Sequence, residues 1–255
     1  MRLMAGDPLS WALALALSGA LLGSFIAALV LRWPAGRSVM HGRSACDACG
    51  HTLTAIELVP LLSFVAQRGR CRRCAARIDP AHAWIELVAL AIGGVAGIVA
   101  PGWQGLAGAA FGWLLLALAA LDIAAFWLPD RLTGMLAVAG LATGVLGLDP
   151  PLVDRLIGGI AGFAVLAAIA WGYEAWRGRA GMGGGDPKLF GAIGLWLGWR
   201  MLPAVLVIAS LVGLGIVLFA ILTRRPMARD TALPFGALLA VAAYPAWLAM
   251  IVFAS

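Results

Sequence analysis

Long apolar runs separated by short polar intervals dominate the chain. Runs suited to the roughly 30 Å of bilayer hydrocarbon cover residues 9–31, 83–100, 105–128, 132–148, 156–176, 188–199, 202–222 and 233–254, of which the sixth is short. The one long polar interval covers residues 32–82. This pattern predicts an all-α polytopic membrane protein with about eight transmembrane helices and a small domain inserted after the first helix.

The composition supports a membrane protein. Of the 255 residues, 63% are hydrophobic and only 12% are charged, which is far from the usage of soluble domains. The net charge of +6 would favour an acidic partner in a soluble protein. Here the basic residues are explained by membrane orientation and by contact with anionic lipid, so we expect the bilayer and no nucleic acid as a partner.

The distribution of basic residues predicts the orientation in the membrane. If residues 32–82 lie in the cytoplasm and each apolar run crosses once, all but three of the 18 Lys and Arg residues fall on the cytoplasmic side. The exceptions are Arg2, Arg155 and Arg200. Because short cytoplasmic loops are rich in Lys and Arg, we expect this orientation, with both termini extracytoplasmic. The predicted division is a first transmembrane helix (1–31), a cytoplasmic domain (32–82) and a seven-helix core (83–255).

The four cysteines of the chain form two Cys-x-x-Cys pairs within the polar interval. Cys46 and Cys49 form the first pair, and Cys71 and Cys74 form the second. Two thiolates from each pair can complete a tetrahedral zinc site, and such a metal would hold together a domain too small to bury a core alone. Unliganded or disulfide-forming thiols remain the alternative. Four thiolates saturate zinc, so His41, His51 and His82 are expected to be solvated or capping residues.

Two carboxylates stand out against the apolar sequence. Asp122 lies inside the third apolar run, where an acid is costly unless it is functional or paired. Asp186 follows three glycines, Gly183, Gly184 and Gly185, and precedes Pro187 and Lys188. Glycines allow backbone conformations closed to other residues and close approach to a substrate. Irregular backbone at membrane depth is tolerated where it is buried in protein or lines a wet cavity. We therefore predict that Gly183–Gly185 and Lys188 form a loop that positions a catalytic acid.

The two acids predict hydrolytic chemistry. The third run places Asp122 about 9 Å inside the cytoplasmic end of its helix, on the same side as Asp186. In such a pair one acid activates water while the other, protonated, polarises the scissile carbonyl of a peptide bond. A structural role is the alternative for Asp186, because Asp before Pro187 can begin a helix with proline at its first position. Asp130 is expected to be the N-cap of the fourth helix.

An ordered set of motifs resembles the bifunctional type IV prepilin peptidases, intramembrane aspartyl proteases with a Gly-x-Gly-Asp motif. The resemblance covers nearly the whole chain, including one aspartate eight residues before the aspartate of Leu-Pro-Asp. Its motifs are Gly23-Ser24-Phe25 through Arg32-Trp33-Pro34, Arg43-Ser44-x-Cys46, Pro60-Leu61-Leu62-Ser63, Arg68-Gly69-Arg70-Cys71, Glu86, Leu121-Asp122 with Leu128-Pro129-Asp130, Met182-Gly183-Gly184-Gly185-Asp186-x-Lys188-Leu189, and Pro234-Phe235-Gly236.

The resemblance implies two activities at the cytoplasmic face of the bacterial inner membrane. The first is cleavage of the short basic leader of prepilins or pseudopilins, with Asp122 and Asp186 as the catalytic pair. The second is N-methylation of the new N-terminal residue by S-adenosylmethionine, associated with the cytoplasmic insert. The products would enter a type IV pilus or a type II secretion pseudopilus.

Three positions depart from the family pattern, and two of them bear on methyl transfer. Ala27 stands where asparagine is usual, Asp47 where proline is common, and Ala237 where a further proline is usual. Glu57 and Glu86 are candidates for a role in methyl transfer or in folding.

Two other classes of function use the same residues differently. A proton-coupled membrane transporter would use Asp122 and Asp186 as a proton relay and would show substrate flux without cleavage. A structural subunit of a secretion assembly would tolerate Asn at both positions.

Overall fold

The computed structural model describes residues 7–39, 43–223 and 233–254. These described residues form nine α-helices and no β-strand, which confirms the all-α prediction. The helices are α1 (Pro8–Arg32), α2 (Leu62–Ala66), α3 (Pro80–Val99), α4 (Trp103–Ala125), α5 (Asp130–Val145), α6 (Leu152–Arg177), α7 (Gly185–Leu197), α8 (Leu202–Leu222) and α9 (Phe235–Ala254).

Each of the eight apolar runs corresponds to one helix, α1 or one of α3–α9. Within the described part of the chain, six helical segments are long and apolar enough to cross a membrane: α1, α3, α4, α6, α8 with its preceding turn, and α9. Helices α5 and α7 have 16 and 13 residues, so they are only about 24 and 20 Å long. The number of eight crossings therefore stays a prediction.

The chain divides into two compact units, an N-terminal unit (residues 1–117) and a C-terminal unit (residues 118–255). In the N-terminal unit, α1 packs closely against α3 through glycines on both helices. A Cβ at Gly97 would lie 2.5 Å from the Ala12 backbone nitrogen, and one at Gly23 would lie 2.7 Å from the Glu86 Cα. Small residues that let two backbones approach are typical of helix contacts in lipid. The predicted division at residues 31 and 82 stays a prediction.

Helix α7 lies at the centre of the C-terminal unit, where 10 of its 13 residues are buried. Glycines of α6 make this possible, because a Cβ at Gly158 would lie 2.6 Å from the Gly194 carbonyl oxygen. On another face, the Trp196 Nε1–H donates to the Leu136 carbonyl of α5 at 2.7 Å. A helix buried nearly all round is held by its neighbours, so α7 is a rigid support for the residues at its N-terminus.

Arg155 is a buried cation that joins three parts of the C-terminal unit. Its side chain lies in the first turns of α6 and is 1% exposed. Its guanidinium donates to backbone carbonyls at distances of 2.7 to 3.2 Å, and these acceptors are Gly140, Leu148, Asp149, Pro150 and Leu195. A charge in this environment is stable only because its donors are satisfied.

Candidate active site and metal centre

Asp122 lies in the last turn of α4, which ends at Ala125. The helix stops because Phe126 has a left-handed backbone with φ of 48°, and the Phe126 N–H donates to the Asp122 carbonyl at 2.8 Å. Asp122 is therefore about 4.5 Å from the end of the helix. The predicted depth of 9 Å is wrong because the apolar sequence continues to Leu128 beyond this left-handed residue.

Asp186 lies in the first turn of α7, which begins at Gly185 with Gly184 as its N-cap. The prediction of proline at the first helical position is wrong, since Pro187 is the third residue of the helix. A proline fits there because the first N–H groups of a helix have no acceptor within the helix. A helix N-terminus stabilises a negative charge, so the position suits an ionisable side chain.

The two predicted acids meet at Gly236, in the first turn of α9. The position that a Cβ of Gly236 would occupy lies 3.0 Å from Asp122 Oδ2 and 3.0 Å from Asp186 Oδ1. Asp122 Oδ2 and Asp186 Oδ1 are therefore separated by no more than twice 3.0 Å. The side chains are buried, at 5% and 6% exposure. The structure thus brings together the two carboxylates that the sequence singled out.

A backbone amide of α9 also holds Asp122. The Ala237 N–H donates to Asp122 Oδ2 at 2.8 Å, which fixes the carboxylate oxygen that faces Asp186. Gly236 belongs to a family motif and Ala237 departs from the family pattern, but no role was predicted for either residue. The only signal in the sequence was the Pro-Phe-Gly motif that begins α9.

The glycines before Asp186 provide space and no special backbone conformation. None of the three has a left-handed φ, and Gly184 is helical with φ of −64°. The expected need for conformations closed to other residues is therefore wrong here. A Cβ at Gly185 would lie 2.9 Å from the Leu128 Cβ, whereas one at Gly184 would meet nothing within 4 Å. Glycine is needed at position 185 because Leu128 packs closely against it, whereas the space beside Gly184 is open to an approaching substrate.

Lys188 forms an ion pair on the surface of the C-terminal unit. Its Nζ lies 2.7 Å from Asp130 Oδ1, and the two side chains are 50% and 73% exposed. Asp130 is the first residue of α5 and the N-cap is Pro129, so the prediction that Asp130 is the N-cap is wrong. The ion pair connects the N-terminal turns of α5 and α7. Lys188 therefore lies in α7 two residues after Asp186, rather than in a loop, and binds a different acid.

The four cysteines form one cluster in the N-terminal unit. All four Sγ atoms lie within 4.8 Å of one another, and Cys46 and Cys74 are 3.8 Å apart at sulfur. A tetrahedron with zinc–sulfur bonds of about 2.3 Å has edges of about 3.8 Å. The cysteines are free thiols, so the disulfide alternative is not found. The arrangement fits a closed four-thiolate zinc site.

Two turns of the same geometry build this cluster. In each, the N–H of the first cysteine donates to the carbonyl five residues later, and the residue after the second cysteine has a left-handed φ. The corresponding pairs are Cys46 with His51 and Cys71 with Ala76, both at 2.9 Å, and Gly50 and Ala75, at φ of 68° and 57°. The backbone N–H groups of Cys74 and Arg73 face the Cys71 sulfur and lower the pKa of that thiol to about 6, which favours the thiolate that binds metal.

Two buried glutamates support the insert. Glu57 Oε2 accepts hydrogen bonds from the N–H and the hydroxyl of Thr54, both at 2.9 Å, and these bonds lower the pKa of Glu57. Glu86 Oε2 accepts from the Leu61 N–H at 2.8 Å. His51 and His82 lie near Glu57 and Glu86, at 3.6 and 3.5 Å. His41 lies outside the described residues.

Comparison with known proteins decides the family. Residues 17–99 match the Bacterial Peptidase A24 N-terminal domain, and residues 109–218 match the Type IV leader peptidase family. A prepilin leader peptidase/N-methyltransferase of Aeromonas hydrophila is 42% identical over 215 residues, 84% of this chain and 73% of that protein. The chain belongs to the type IV leader peptidase family. A protein of the same description from Pseudomonas aeruginosa is 34% identical over 97% of this chain and 92% of its own length.

The family assignment separates the two sites along the chain. Asp122 and Asp186 lie in the part that matches the leader peptidase, whereas the four cysteines and Glu86 lie in the part that matches the N-terminal domain. A relative from Burkholderia pseudomallei strain K96243, described in the same words, is 44% identical over 81% of this chain and 67% of that protein. No solved structure matches this chain. The matches favour a protease over a proton-coupled transporter.

Proposed function

We propose that this protein cleaves the leader peptide of prepilins or pseudopilins and N-methylates the new N-terminal residue, with Asp122 and Asp186 as the catalytic acids. The observation that carries the proposal is the meeting of two buried carboxylates at Gly236 in a chain of the type IV leader peptidase family. Relatives of this chain have both activities in their names.

The geometry suits acid/base hydrolysis without a covalent intermediate. One carboxylate takes a proton from water as the water oxygen attacks the scissile carbonyl carbon, and the protonated partner donates its proton to the carbonyl oxygen. Collapse of the tetrahedral intermediate then breaks the carbon–nitrogen bond, and the leaving amine receives the proton from the first carboxylate. The Ala237 N–H holds Asp122 in place. Because Gly236 has no side chain, space remains between the acids for water and the peptide.

Cys46, Cys49, Cys71 and Cys74 would hold a structural Zn²⁺. Four thiolates fill all four positions of tetrahedral zinc, so this metal would stabilise residues 32–82 and take no part in hydrolysis. S-adenosylmethionine would be the methyl donor. In this proposal residues 1–31 form the first transmembrane helix, residues 32–82 form a cytoplasmic zinc-binding domain associated with methyl transfer, and residues 83–255 form the protease core.

We place this multi-pass protein in the bacterial inner membrane, with the catalytic acids and the zinc domain on the cytoplasmic side and both termini outside. The uneven distribution of Lys and Arg supports this orientation. Four of those arginines, Arg2, Arg224, Arg225 and Arg229, lie outside the described residues. The partners are the bilayer and a prepilin or pseudopilin substrate.

Mass spectrometry of the reaction products tests both activities. The purified protein is incubated with a prepilin and S-adenosylmethionine. We expect a product that lacks the leader and carries one added methyl group at its new N-terminus. An intact precursor would contradict the peptidase, and a cleaved product without the methyl group would contradict the methyl transfer. A transporter reconstituted in vesicles would leave the precursor intact.

A further inference from the structure

The N-terminal unit contains a cavity of about 410 Å³ that the proteolytic reaction does not use. Residues of α1, the cysteine turns, α2 and the first turns of α3 line it, and all of them lie between residues 24 and 86. The cavity is therefore inside the N-terminal family match and outside the leader-peptidase match. Its volume is in the range of small-molecule sites, roughly 300–1,000 Å³. The carboxylate pair accounts for peptide cleavage, so a second activity needs a second site.

The lining offers three kinds of contact that a sulfonium methyl donor requires. S-adenosylmethionine consists of a flat purine, a ribose, a positively charged sulfur and a zwitterionic amino acid part. The cavity combines apolar walls with guanidinium groups and carboxylates. The apolar residues include Leu53, Leu58, Phe64 and Ile78, the cations are Arg32, Arg37 and Arg77, and the acids are Asp47, Glu57, Asp79 and Glu86, with His82 beside Glu86. Cys46 and Cys71 of the cysteine cluster also line the cavity.

Glu86 is one of two buried acids of this lining, at 4% exposure, and the other, Glu57, already accepts two hydrogen bonds from Thr54. Its Oε2 accepts from the Leu61 N–H at 2.8 Å, and its Oε1 lies 3.5 Å from the His82 Nε2. Among the described residues, this histidine is its one ion-pair contact. A buried carboxylate without a permanent cation is costly, and a ligand that brings its own positive charge removes that cost.

We propose that this cavity binds S-adenosylmethionine, with Glu86 beside the sulfonium and His82 as the base for the incoming amine. The inference rests on the proposed function, because it locates the methyl transfer in that function. His82 lies one helical turn from Glu86, and its side chain is 30% exposed, so it can contact both the carboxylate and a substrate. A carboxylate that contacts one ring nitrogen orients the imidazole and leaves the other nitrogen for proton transfer.

The bonds, electron pair and proton of the methyl transfer can all be accounted for with Glu86 and His82. The lone pair of the new N-terminal amine forms a bond to the methyl carbon, and the carbon–sulfur bond breaks. Sulfur keeps that electron pair and leaves as a neutral thioether. The proton lost by the amine passes to His82, which releases it to water. Glu86 takes no atom in this step and acts through charge and through the position of His82.

Equilibrium binding to the intact purified protein tests the site. Ala28 lines the cavity, so Ala28→Phe fills it, and we expect at least about tenfold weaker binding of both S-adenosylmethionine and S-adenosylhomocysteine. The same substitution at Ala14, on the exposed face of the same helix, is the matched control and leaves binding unchanged. Retained zinc and retained leader cleavage show that the variants are folded.

Glu86→Gln removes the negative charge of the side chain and keeps its hydrogen bond, because glutamine still offers an oxygen to the Leu61 N–H. The thioether product lacks the positive charge on sulfur, so this variant weakens binding of the donor by about tenfold more than binding of S-adenosylhomocysteine. His82→Gln keeps donor affinity and slows methyl transfer by at least about 10²-fold. Equal weakening of both ligands by Glu86→Gln would overturn the assignment of Glu86, and an unchanged transfer rate would overturn that of His82.

The test separates failure of this site from failure of the proposed function. If the wild-type protein methylates its product while Ala28→Phe binds both ligands with wild-type affinity, the cavity is not the donor site and the proposed function stands. If the wild-type protein neither binds S-adenosylmethionine nor methylates, the methyltransferase activity itself is refuted.

Discussion

Gly236→Ala tests the geometry of the carboxylate pair without touching either acid. The new Cβ would lie 3.0 Å from Asp122 Oδ2, 3.0 Å from Asp186 Oδ1 and 2.6 Å from Leu128 Cδ1. The leucine can turn away, but both acids or the start of α9 must move by a few tenths of an ångström. The added methyl group also occupies the space between the two acids. Because a displacement of about 1 Å can cost roughly 10²-fold in rate and this shift is smaller, we expect leader cleavage to fall by about tenfold.

The assay is single-turnover cleavage of a purified prepilin, with the protein in detergent. Gly215→Ala is the matched control, because a Cβ at Gly215 in α8 would meet nothing within 4 Å. Alanine also favours a helix over glycine by roughly 1 kcal/mol, so this control keeps full activity and stability. Wild-type cleavage by a folded Gly236→Ala protein would refute the placement of the reacting peptide between the two acids.

Three further predictions concern stability and metal. Ala75 has a left-handed backbone in the second cysteine turn, so Ala75→Gly removes strain and raises the free energy of unfolding by about 1 kcal/mol. The control Ala76→Gly lowers the free energy of unfolding. Equal effects of the two substitutions in chemical denaturation would contradict this account. Cys74→Ser lowers bound zinc, measured by atomic absorption, at least tenfold, and unchanged zinc would exclude the site. Arg155→Met leaves buried carbonyl oxygens without hydrogen-bond donors and lowers the free energy of unfolding by at least about 3 kcal/mol. The side chain of Arg200 is 72% exposed, so Arg200→Met has little effect on stability.

The sequence predicted the cysteine cluster and the carboxylate pair, because reactive residues stand out there by type and by position in the chain. The two Cys-x-x-Cys pairs predicted one cluster, and the structure places their four sulfurs together. Asp122 and Asp186 stood out because acids are rare in apolar sequence, and they meet at one point. These features depend on local composition, which a single sequence displays directly.

Tertiary contacts determined what the sequence did not predict. The end of α4 depends on the left-handed Phe126, a conformation that is rare for an aromatic residue. The Ala237 N–H reaches Asp122 across 115 residues of sequence, which no local pattern encodes. Arg155 was expected in a loop outside the membrane, but it lies in α6 and is buried, because five backbone carbonyls from three segments surround its guanidinium.

Cleavage of a purified prepilin by Asp122→Asn and Asp186→Asn tests the central claim most directly. Asparagine keeps the size of the side chain and removes its acid/base chemistry, so each substitution should reduce single-turnover cleavage by about 10²–10⁴-fold. Because the two acids act as a unit, the double variant should be little worse than either single variant. Cleavage within a few-fold of wild type by either folded variant would contradict the account.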